Sequence, residues 1–347
     1  MARIRVGIIG SGRIAQGRHI PGYQEIKDVE VVAACDIDAK VARQAAERFN
    51  IAQVFTDHRE MLEKVELDAV SVCTPNAAHM QPSIDALEAG VHVLCEKPIA
   101  LNAKEGQKMV DAARRTGKQL MVGLNQRFLA KSQALKMLIQ EGKLGEIYFG
   151  KAFAMRRRGI PGWGAFTNKA LSGGGPLIDI GVHILDLTLW LMGFPKPVSV
   201  LGATYSKIGM KKPALGSSWM WDPKKFEVED LGVGLIKFEG GATLFLEASF
   251  ATNIEREEFN SHLYGDKGGA SLEPFRVYTE FGGILADVVP VGIEEPRRRR
   301  SVVTGFVEAI QKGKPVPIPG EEALITTRVL DAIYESAEKG KEVRIAG

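Results

Sequence analysis

Asp179, His183 and Asp186 are the ionisable positions of a largely apolar run, Pro176-Leu-Ile-Asp-Ile-Gly-Val-His-Ile-Leu-Asp-Leu-Thr-Leu-Trp-Leu. On an α-helix the spacings i, i+4 and i+3 set all three on one face. A lone histidine on such a helix is commonly a core residue with its hydrogen bonds satisfied. A histidine between two carboxylates in apolar surroundings is costly unless the charges are paired or used. Gly173, Gly174 and Gly175 just upstream let the backbone approach another group closely. An imidazole, with an ordinary pKa of about 6.5, is a natural general base. Lys97 follows the apolar run Val91–Cys95 and precedes Pro98. It reads either as an exposed strand-exit residue or as a cation held in a cleft, where it would stabilise developing negative charge. A base and a cation together suit oxidation of an alcohol, which also needs a hydride acceptor.

The acceptor's site is written at the N-terminus. Gly10-Ser11-Gly12-Arg13-Ile14-Ala15 follows a first apolar run and opens a helical pattern, which is the G-x-G-x-x-A form of a dinucleotide-binding turn. Gly10 permits the tight turn, Gly12 admits a pyrophosphate against the backbone, and Ala15 allows close helix–strand packing. The helix start supplies free N–H groups and a positive dipole end. Asp36 ends the second apolar run, where an acid hydrogen-bonds the ribose hydroxyls; Asp36 or Asp38 also suits the N-cap of the helical pattern that follows. A carboxylate repels a 2′-phosphate, so NAD is expected over NADP, with Arg13 and Lys40 as the opposing charges nearby. Two further strand ends, Cys73-Thr-Pro-Asn-Ala-Ala-His79 and Glu96-Lys97-Pro98, point at the same crevice. Thr74, Asn76 and His79 there suit either ribose and nicotinamide contacts or local cap and turn chemistry.

These residues need a scaffold, and the first third of the chain supplies a repeating one. Apolar runs at Ile4–Ile9, Val29–Ala34, Ala69–Val72, Val91–Cys95 and Gln119–Gly123 read as buried strands. Helical patterns at Ile14–Tyr23, Ala39–Phe49, His58–Lys64, Pro82–Ala89 and Ala103–Thr116 alternate with them. That is a doubly wound parallel sheet over residues 1–123. From 124 to 347 the texture changes. A helix at Ala130–Glu141 leads to a strand at Glu146–Arg156, then to longer alternating runs at Val198–Tyr205, Val228–Phe238, Ala242–Phe250 and Glu257–Tyr264. Gly240-Gly241 and the Gly265–Ala270 stretch read as turns. Helical patterns at Ser301–Gln311 and Glu321–Glu338 close the chain, and the last is expected to pack back on the first domain. The expected class is α/β: a Rossmann domain followed by an α+β domain with a large, mostly antiparallel open sheet.

Composition sets the outer limits. The 347 residues are 45% hydrophobic and 25% charged with a net charge of +3, ordinary for a two-domain globular protein. That balance is too even to suggest nucleic acid or an anionic membrane as partner. No apolar run reaches the roughly 20 residues of a spanning helix, and the start carries no cleavable signal pattern. Cys35, Cys73 and Cys95 each end an apolar run without CxxC spacing, as buried thiols of a reducing cytoplasm do. No metal site is expected.

The order and spacing of these motifs resemble the Gfo/Idh/MocA oxidoreductases, the family of glucose–fructose oxidoreductase and inositol dehydrogenase. The resemblance covers essentially the whole chain and rests on GSGRIA at 10–15, Asp36, TPNAAH at 74–79, EKP at 96–98, GLNQRF at 123–128 and GGGPLIDIGVHILD at 173–186. It implies that Lys97, Asp179 and His183 are the catalytic trio, and that the second domain's sheet mediates a homodimer or homotetramer. The cofactor contacts expected on this basis are Gly10, Ser11, Gly12, Arg13, Ile14, Asp36, Thr74, Pro75, Asn76, His79, Glu96, Lys97 and Asn125. A sugar or cyclitol bearing a secondary alcohol is the expected substrate, met by Lys97, Asp179 and His183 with Arg127, Arg156, Arg158, Trp163 and Tyr264 as candidate walls. Strand alternation sets Arg156 and Arg158 on one face, and Trp163 suits either a sugar ring or a loop anchor. Arg297–Arg300 reads as a solvated charge run. Two other functions stay open at this stage. One is a redox-neutral sugar enzyme that keeps its NAD bound; the other is a non-catalytic NAD sensor, which need not retain the trio.

Overall fold

The structure, a computed structural model, describes residues 3–293 and 301–345, so the expected charge run Arg297–Arg300 lies outside the described residues. The chain forms two compact units: the residues through Leu124 with those of 300–324, and the remainder.

In the first unit, β1 (Ile4–Ile9), β2 (Val29–Cys35), β3 (Gln53–Phe55), β4 (Ala69–Val72), β5 (His92–Cys95) and β6 (Leu120–Val122) form a six-stranded sheet in the order β3-β2-β1-β4-β5-β6. Every pairing in it is parallel. Its helices are α1 (Ile20–Gln24), α2 (Ala39–Phe49), α3 (His58–Lys64), α4 (Met80–Glu88) and α5 (Ala103–Thr116). Strands buried on both faces read as continuous apolar runs, which is why five of the six are visible in the sequence to within a residue at each end. β3 escaped notice because its three residues are only partly buried and carry no such run.

In the second unit come α6 (Ala130–Gln140), β7 (Ile147–Met155), α7 (Lys169–Ser172), a π-helical turn Leu177–Gly181 and α8 (Val182–Leu191). The strands β8 (Pro197–Tyr205), β9 (Leu231–Phe238), β10 (Thr243–Ser249), β11 (Glu258–Gly265), β12 (Gly269–Leu272), β13 (Phe275–Phe281) and β14 (Ile284–Val288) follow. With β7 and a terminal β15 (Val343–Arg344) they make a nine-stranded sheet among the described residues, ordered β14-β13-β12-β11-β7-β10-β9-β8-β15. It is antiparallel throughout except for β7 beside β10. β12 to β14 were not anticipated, because the β13–β14 ribbon is largely exposed and lacks an alternating apolar face. On one face Ala152, Ala154, Leu244, Leu246 and Ala248 are buried. Against them pack the π turn and α8. The helical stretch Lys169–Leu191 is long and apolar enough to cross a bilayer by composition, which the reading of the sequence overlooked; 83% of its apolar window is buried inside the protein, as in a core helix.

The expected continuous second domain from 124 onward does not hold. The chain returns to the first unit with α9 (Val302–Lys312) and stays there to Leu324. The reason is the open edge of the parallel sheet. Val122 N–H donates to Ile318 O at 3.1 Å and Met121 bridges Pro319, so this segment covers an otherwise unpaired strand. The last helix, α10 (Gly320–Lys339), belongs to the second unit from Ile325 onward.

A buried polar chain runs through the first unit beneath the ends of β4 and β5. Tyr23 Oη lies 2.8 Å from Ser71 Oγ, which lies 3.0 Å from His19 Nδ1, and His19 Nε2 lies 2.9 Å from Glu96 Oε1. The other oxygen of Glu96 accepts the Lys97 backbone N–H at 3.2 Å. Burial alone would raise the Glu96 carboxyl, but the His19 hydrogen bond and the charges of His19 and Lys97 outweigh it and hold the pKa down at about 2. A carboxyl depressed in the fold stabilises it above the unfolded-state pKa, and that contribution fades as pH falls through the folded value. Glu96→Gln is therefore expected to destabilise the protein at pH 7, by at most on the order of 3 kcal/mol. The deficit relative to the unaltered chain should shrink below about pH 4.5. Denaturant melts of both proteins at pH 7 and pH 4 check this; a deficit that grows on acidification contradicts it.

Candidate active site

In the first unit, the turn after β1 has the features a dinucleotide requires. Gly10 sits at φ +85°, and a Cβ there would fall 2.7 Å from the backbone of Cys73 and Thr74. Only glycine lets the turn pass so close to the end of β4. At Gly12 a Cβ would meet nothing within 4 Å, so open space lies over the residue expected to face the pyrophosphate. Helix begins right after it, with a π-helical turn at Ala15–His19 leading into α1. Asp36 accepts the backbone N–H groups of Ser11 at 2.9 Å and Asp38 at 3.0 Å, one on each oxygen. Each carboxylate oxygen has a second lone pair, so the aimed carboxylate can still accept two ribose hydroxyls. The cap question is settled in favour of Asp38, whose side chain accepts from Lys40 N–H at 2.9 Å. Ser11 is fully buried and its hydroxyl donates to Cys35 O, so only its backbone faces the turn.

The ends of β4 and β5 divide between surface and support. Thr74, Asn76, Glu96 and Lys97 are half-buried and Pro75 is exposed. The Thr74 hydroxyl donates to Ala78 O at 2.9 Å and closes the turn. His79, expected to touch the cofactor, is fully buried, with Nδ1 2.8 Å from Pro98 O and Nε2 2.9 Å from Thr74 O. Both ring nitrogens lie against backbone carbonyls, one of them through its N–H, so the buried His79 ring ties the two loops together. Burial holds its pKa below the usual imidazole value. Among the other expected contacts, Arg13 is exposed and Ile14 half-buried in the first unit, while Asn125 opens a short 3₁₀ turn in the second.

In the second unit, Asp179 and His183 line one cavity of about 600 Å³ together with Arg156, Trp163, Phe166 and Trp219. Asp179 stands in the π turn and His183 in the first turn of α8. Isolated π turns inside helices recur at functional sites, where they re-aim a side chain. Trp163 and Trp219 meet edge to face with centroids 4.7 Å apart, and the Arg156 guanidinium lies 5.3 Å from the Trp219 ring centre. An aromatic wall beside a cation and a His–Asp pair is what a polyhydroxylated ring needs: flat faces for its C–H groups and charged partners for its hydroxyls. Glu257 and Glu258 stand at the same cavity.

The other expected members do not join it. Asp186 is fully buried and forms a bidentate pair with Arg127, Nε to Oδ2 at 2.8 Å and Nη2 to Oδ1 at 2.5 Å. Arg127 is 3% exposed and also lies 5.0 Å from the Phe194 ring centre, so it is a core partner rather than a pocket wall. The three-residue face expected from helical spacing thus loses Asp186 to the core. Arg158 diverges from Arg156 because β7 stops at Met155, and strand alternation stops with it. Its guanidinium is held by Thr252 O at 2.9 Å and Asn253 Oδ1 at 2.6 Å. Tyr264 stacks on Phe149 at 5.4 Å, and Lys151 of the same sheet sits over both rings.

Two further residues matter that reading the sequence did not single out. Trp219 sits in an irregular loop with no period to mark it. Glu229 is a buried carboxylate that accepts Gly175 N–H at 2.9 Å, Leu177 N–H at 3.2 Å and Tyr334 Oη–H at 2.7 Å. Burial pushes its carboxyl up against those three bonds. The triple glycine approaches these groups and not a ligand: a Cβ on Gly174 would collide with the Tyr334 hydroxyl, and one on Gly175 with Glu229 O.

Comparison with known proteins agrees with the geometry over the whole chain. Residues 4–124 match the model of the oxidoreductase family with NAD-binding Rossmann fold, and residues 132–271 match the Gfo/Idh/MocA C-terminal domain. The D-glucoside 3-dehydrogenase of Escherichia coli (strain K12) is 42% identical over 344 residues, covering 99% of this chain and 97% of that protein. Among solved structures, an oxidoreductase domain protein from Kribbella flavida superposes with a TM-score of 0.86 at 26% identity over 100% of both chains. An aldose-aldose oxidoreductase from Caulobacter crescentus, complexed with glycerol, superposes with a TM-score of 0.80 at 25% identity over 99% of both. The chain belongs to the Gfo/Idh/MocA oxidoreductase family, and its first unit is that family's NAD-binding Rossmann domain.

Proposed function

We propose that this NAD-dependent oxidoreductase oxidises a ring hydroxyl of a glucoside, with His183 as base, Asp179 as its orienting partner and Lys97 as the cation that stabilises the developing alkoxide. The observation that carries this is the cavity of the second unit. It brings Asp179 and His183 into one space with Arg156 and the Trp163–Trp219 pair. The identity to a D-glucoside 3-dehydrogenase supports a glucoside over other polyols.

Bound NAD supplies the hydride acceptor. His183 takes the hydroxyl proton as the carbon–oxygen bond gains double-bond character. Asp179 favours the imidazolium that results, since an adjacent carboxylate stabilises the charged ring. Lys97 would stabilise the negative charge that develops on the oxygen as its proton leaves, until loss of hydride from the carbon gives the neutral carbonyl. The product is a keto-sugar, and the proton on His183 passes to solvent. The expected working compartment is a reducing cytoplasm, where Cys35, Cys73 and Cys95, all free and buried, stay reduced.

The assembly is proposed to be a homodimer or homotetramer built on the second sheet. The face opposite α8 carries Phe149, Phe153, Phe245 and Tyr264 half-buried, with Leu201 at 52% and Leu235 at 36% exposure. An apolar face of that extent calls for a cover. Light scattering at micromolar concentration should give a mass of at least twice the 37.8 kDa chain. A monomeric mass contradicts it.

Cofactor choice is expected to rest on Asp36. NAD should bind more tightly than NADP, and Asp36→Ala should narrow the gap, read by titrating intrinsic fluorescence with each cofactor. Equal affinities in the unaltered protein would sink this assignment. For catalysis, His183→Ala and Lys97→Ala should each lower kcat on a glucoside by at least about a hundredfold. NAD dissociation constants should change little, because Lys97 is expected only at the nicotinamide end and neither residue is needed to hold the adenosine or the pyrophosphate. A folded His183→Ala that turns over normally places the base elsewhere, and an unfolded one makes His183 a core residue.

A further inference from the structure

We infer that the substrate site continues into a second cavity that holds an apolar aglycone, so that the preferred substrate is a glucoside of an aromatic or aliphatic alcohol rather than a free sugar. This rests on the proposal that the reacting hydroxyl lies at His183. The second cavity, of about 280 Å³, also lies wholly within the second unit, and Gln126 and Phe259 line both cavities. Its walls include Ile184 and Leu187 of α8 and Leu272 of β12. The two cavities therefore follow one helix: His183 faces the first, and Ile184 and Leu187 face the second. From His183 to Leu187 is one turn, about 6 Å along the axis, a span comparable with one pyranose ring. A pyranoside with its 3-hydroxyl at His183 carries its anomeric substituent two ring carbons away, within reach of that second space.

The lining also states what it accepts. Its charged members, Lys131 and Glu273, are paired with each other at 2.5 Å. The Asn260 amide oxygen is spent on the backbone, accepting the N–H groups of Ser261 in its own strand and of Leu272 and Glu273 at the end of β12. A second sugar would find few hydroxyl partners there. Besides Gln126, which the two cavities share, Ser132 adds a hydroxyl: it is fully buried, lines this cavity, and its Oγ has no hydrogen-bond partner. Buried hydroxyls are rarely left so, and a ligand bearing one polar group would satisfy it.

Steady-state kinetics of the enzyme with saturating NAD test this on methyl glucoside, phenyl glucoside, hydroxyphenyl glucoside and a glucosyl-glucose disaccharide. Phenyl glucoside should exceed methyl glucoside in kcat/KM by at least about tenfold, through KM. Ala130→Phe, which fills the cavity from the half-buried start of α6, should abolish that ratio. Ser132→Ala, which removes only the hydroxyl, should keep the phenyl preference and erase any advantage of hydroxyphenyl over phenyl. A phenyl-to-methyl ratio near one in the unaltered enzyme, or one that survives Ala130→Phe at an unchanged melting temperature, overturns the inference. So does a disaccharide that outperforms phenyl glucoside, which would make the space a second sugar site. If Ala130→Phe does not fold, Ser132→Ala decides: an undiminished hydroxyphenyl advantage, or none in the unaltered enzyme, overturns it. Absence of turnover on every glucoside, methyl included, removes the substrate proposal and this inference with it. Turnover of methyl glucoside without a phenyl advantage removes this inference alone.

Discussion

A carboxylate taken out of water must find donors, and the helix that carries Asp179 and His183 is built around two that did. Glu229 takes the N–H groups of Gly175 and Leu177 where the helical stretch begins, and Asp186 takes the Arg127 fork one turn past His183. Removing one partner of such a buried pair commonly costs about 3–5 kcal/mol, because the other charge is stranded. Between these anchors the backbone has little freedom to shift. That is the condition a base needs to meet a hydroxyl at hydrogen-bond distance. The triple glycine follows from the same constraint: Glu229 and Tyr334 can reach the chain only where no side chain intervenes.

The first unit applies the same device to the cofactor. Asp36 binds the Ser11 N–H, and so the acid expected to meet the ribose also shapes the loop expected to meet the pyrophosphate. Glu96 is held by His19 and in turn accepts the Lys97 N–H. In both cases a carboxylate fixes, through a backbone N–H, the stretch of chain that carries a residue expected at the cofactor. Such support is what keeps a polar cluster from relaxing into alternative pairings.

Much of this was legible in the sequence, for physical reasons. Parallel strands buried on both faces leave unbroken apolar runs, so β1, β2, β4, β5 and β6 announced themselves, and Gly10, Gly12 and Asp36 could be placed at their ends. Asp179, His183, Arg156 and Trp163 do meet in one cavity. What stayed hidden depends on contacts between distant segments. Nothing near Arg127 says that its partner is Asp186, and a histidine in TPNAAH looks the same whether it faces a ligand or two carbonyls. Arg158 was misplaced because an alternation argument was carried past the strand's last residue. Trp219 lies in a stretch with no period and Glu229 in an alternating run that does not mark it, so only the folded chain shows what they touch.

The π turn at Leu177–Gly181 has a consequence of another kind. Such a turn is equivalent to one extra residue inserted into an α-helix. Asp179 sits within the insertion, and the α-helical phase resumes at Val182. Deleting a single residue from this stretch would restore an unbroken α-helix and rotate everything upstream by about 100° relative to His183. Asp179 would then swing off the cavity wall, and the segment that Glu229 caps would turn away from it. The stretch can therefore vary in the identity of its apolar residues, but not in its length. The other π turn, Ala15–His19, stands in the same relation to His19 and its bond to Glu96. Across relatives that keep this chemistry, both stretches should drift in composition while insertions and deletions gather elsewhere.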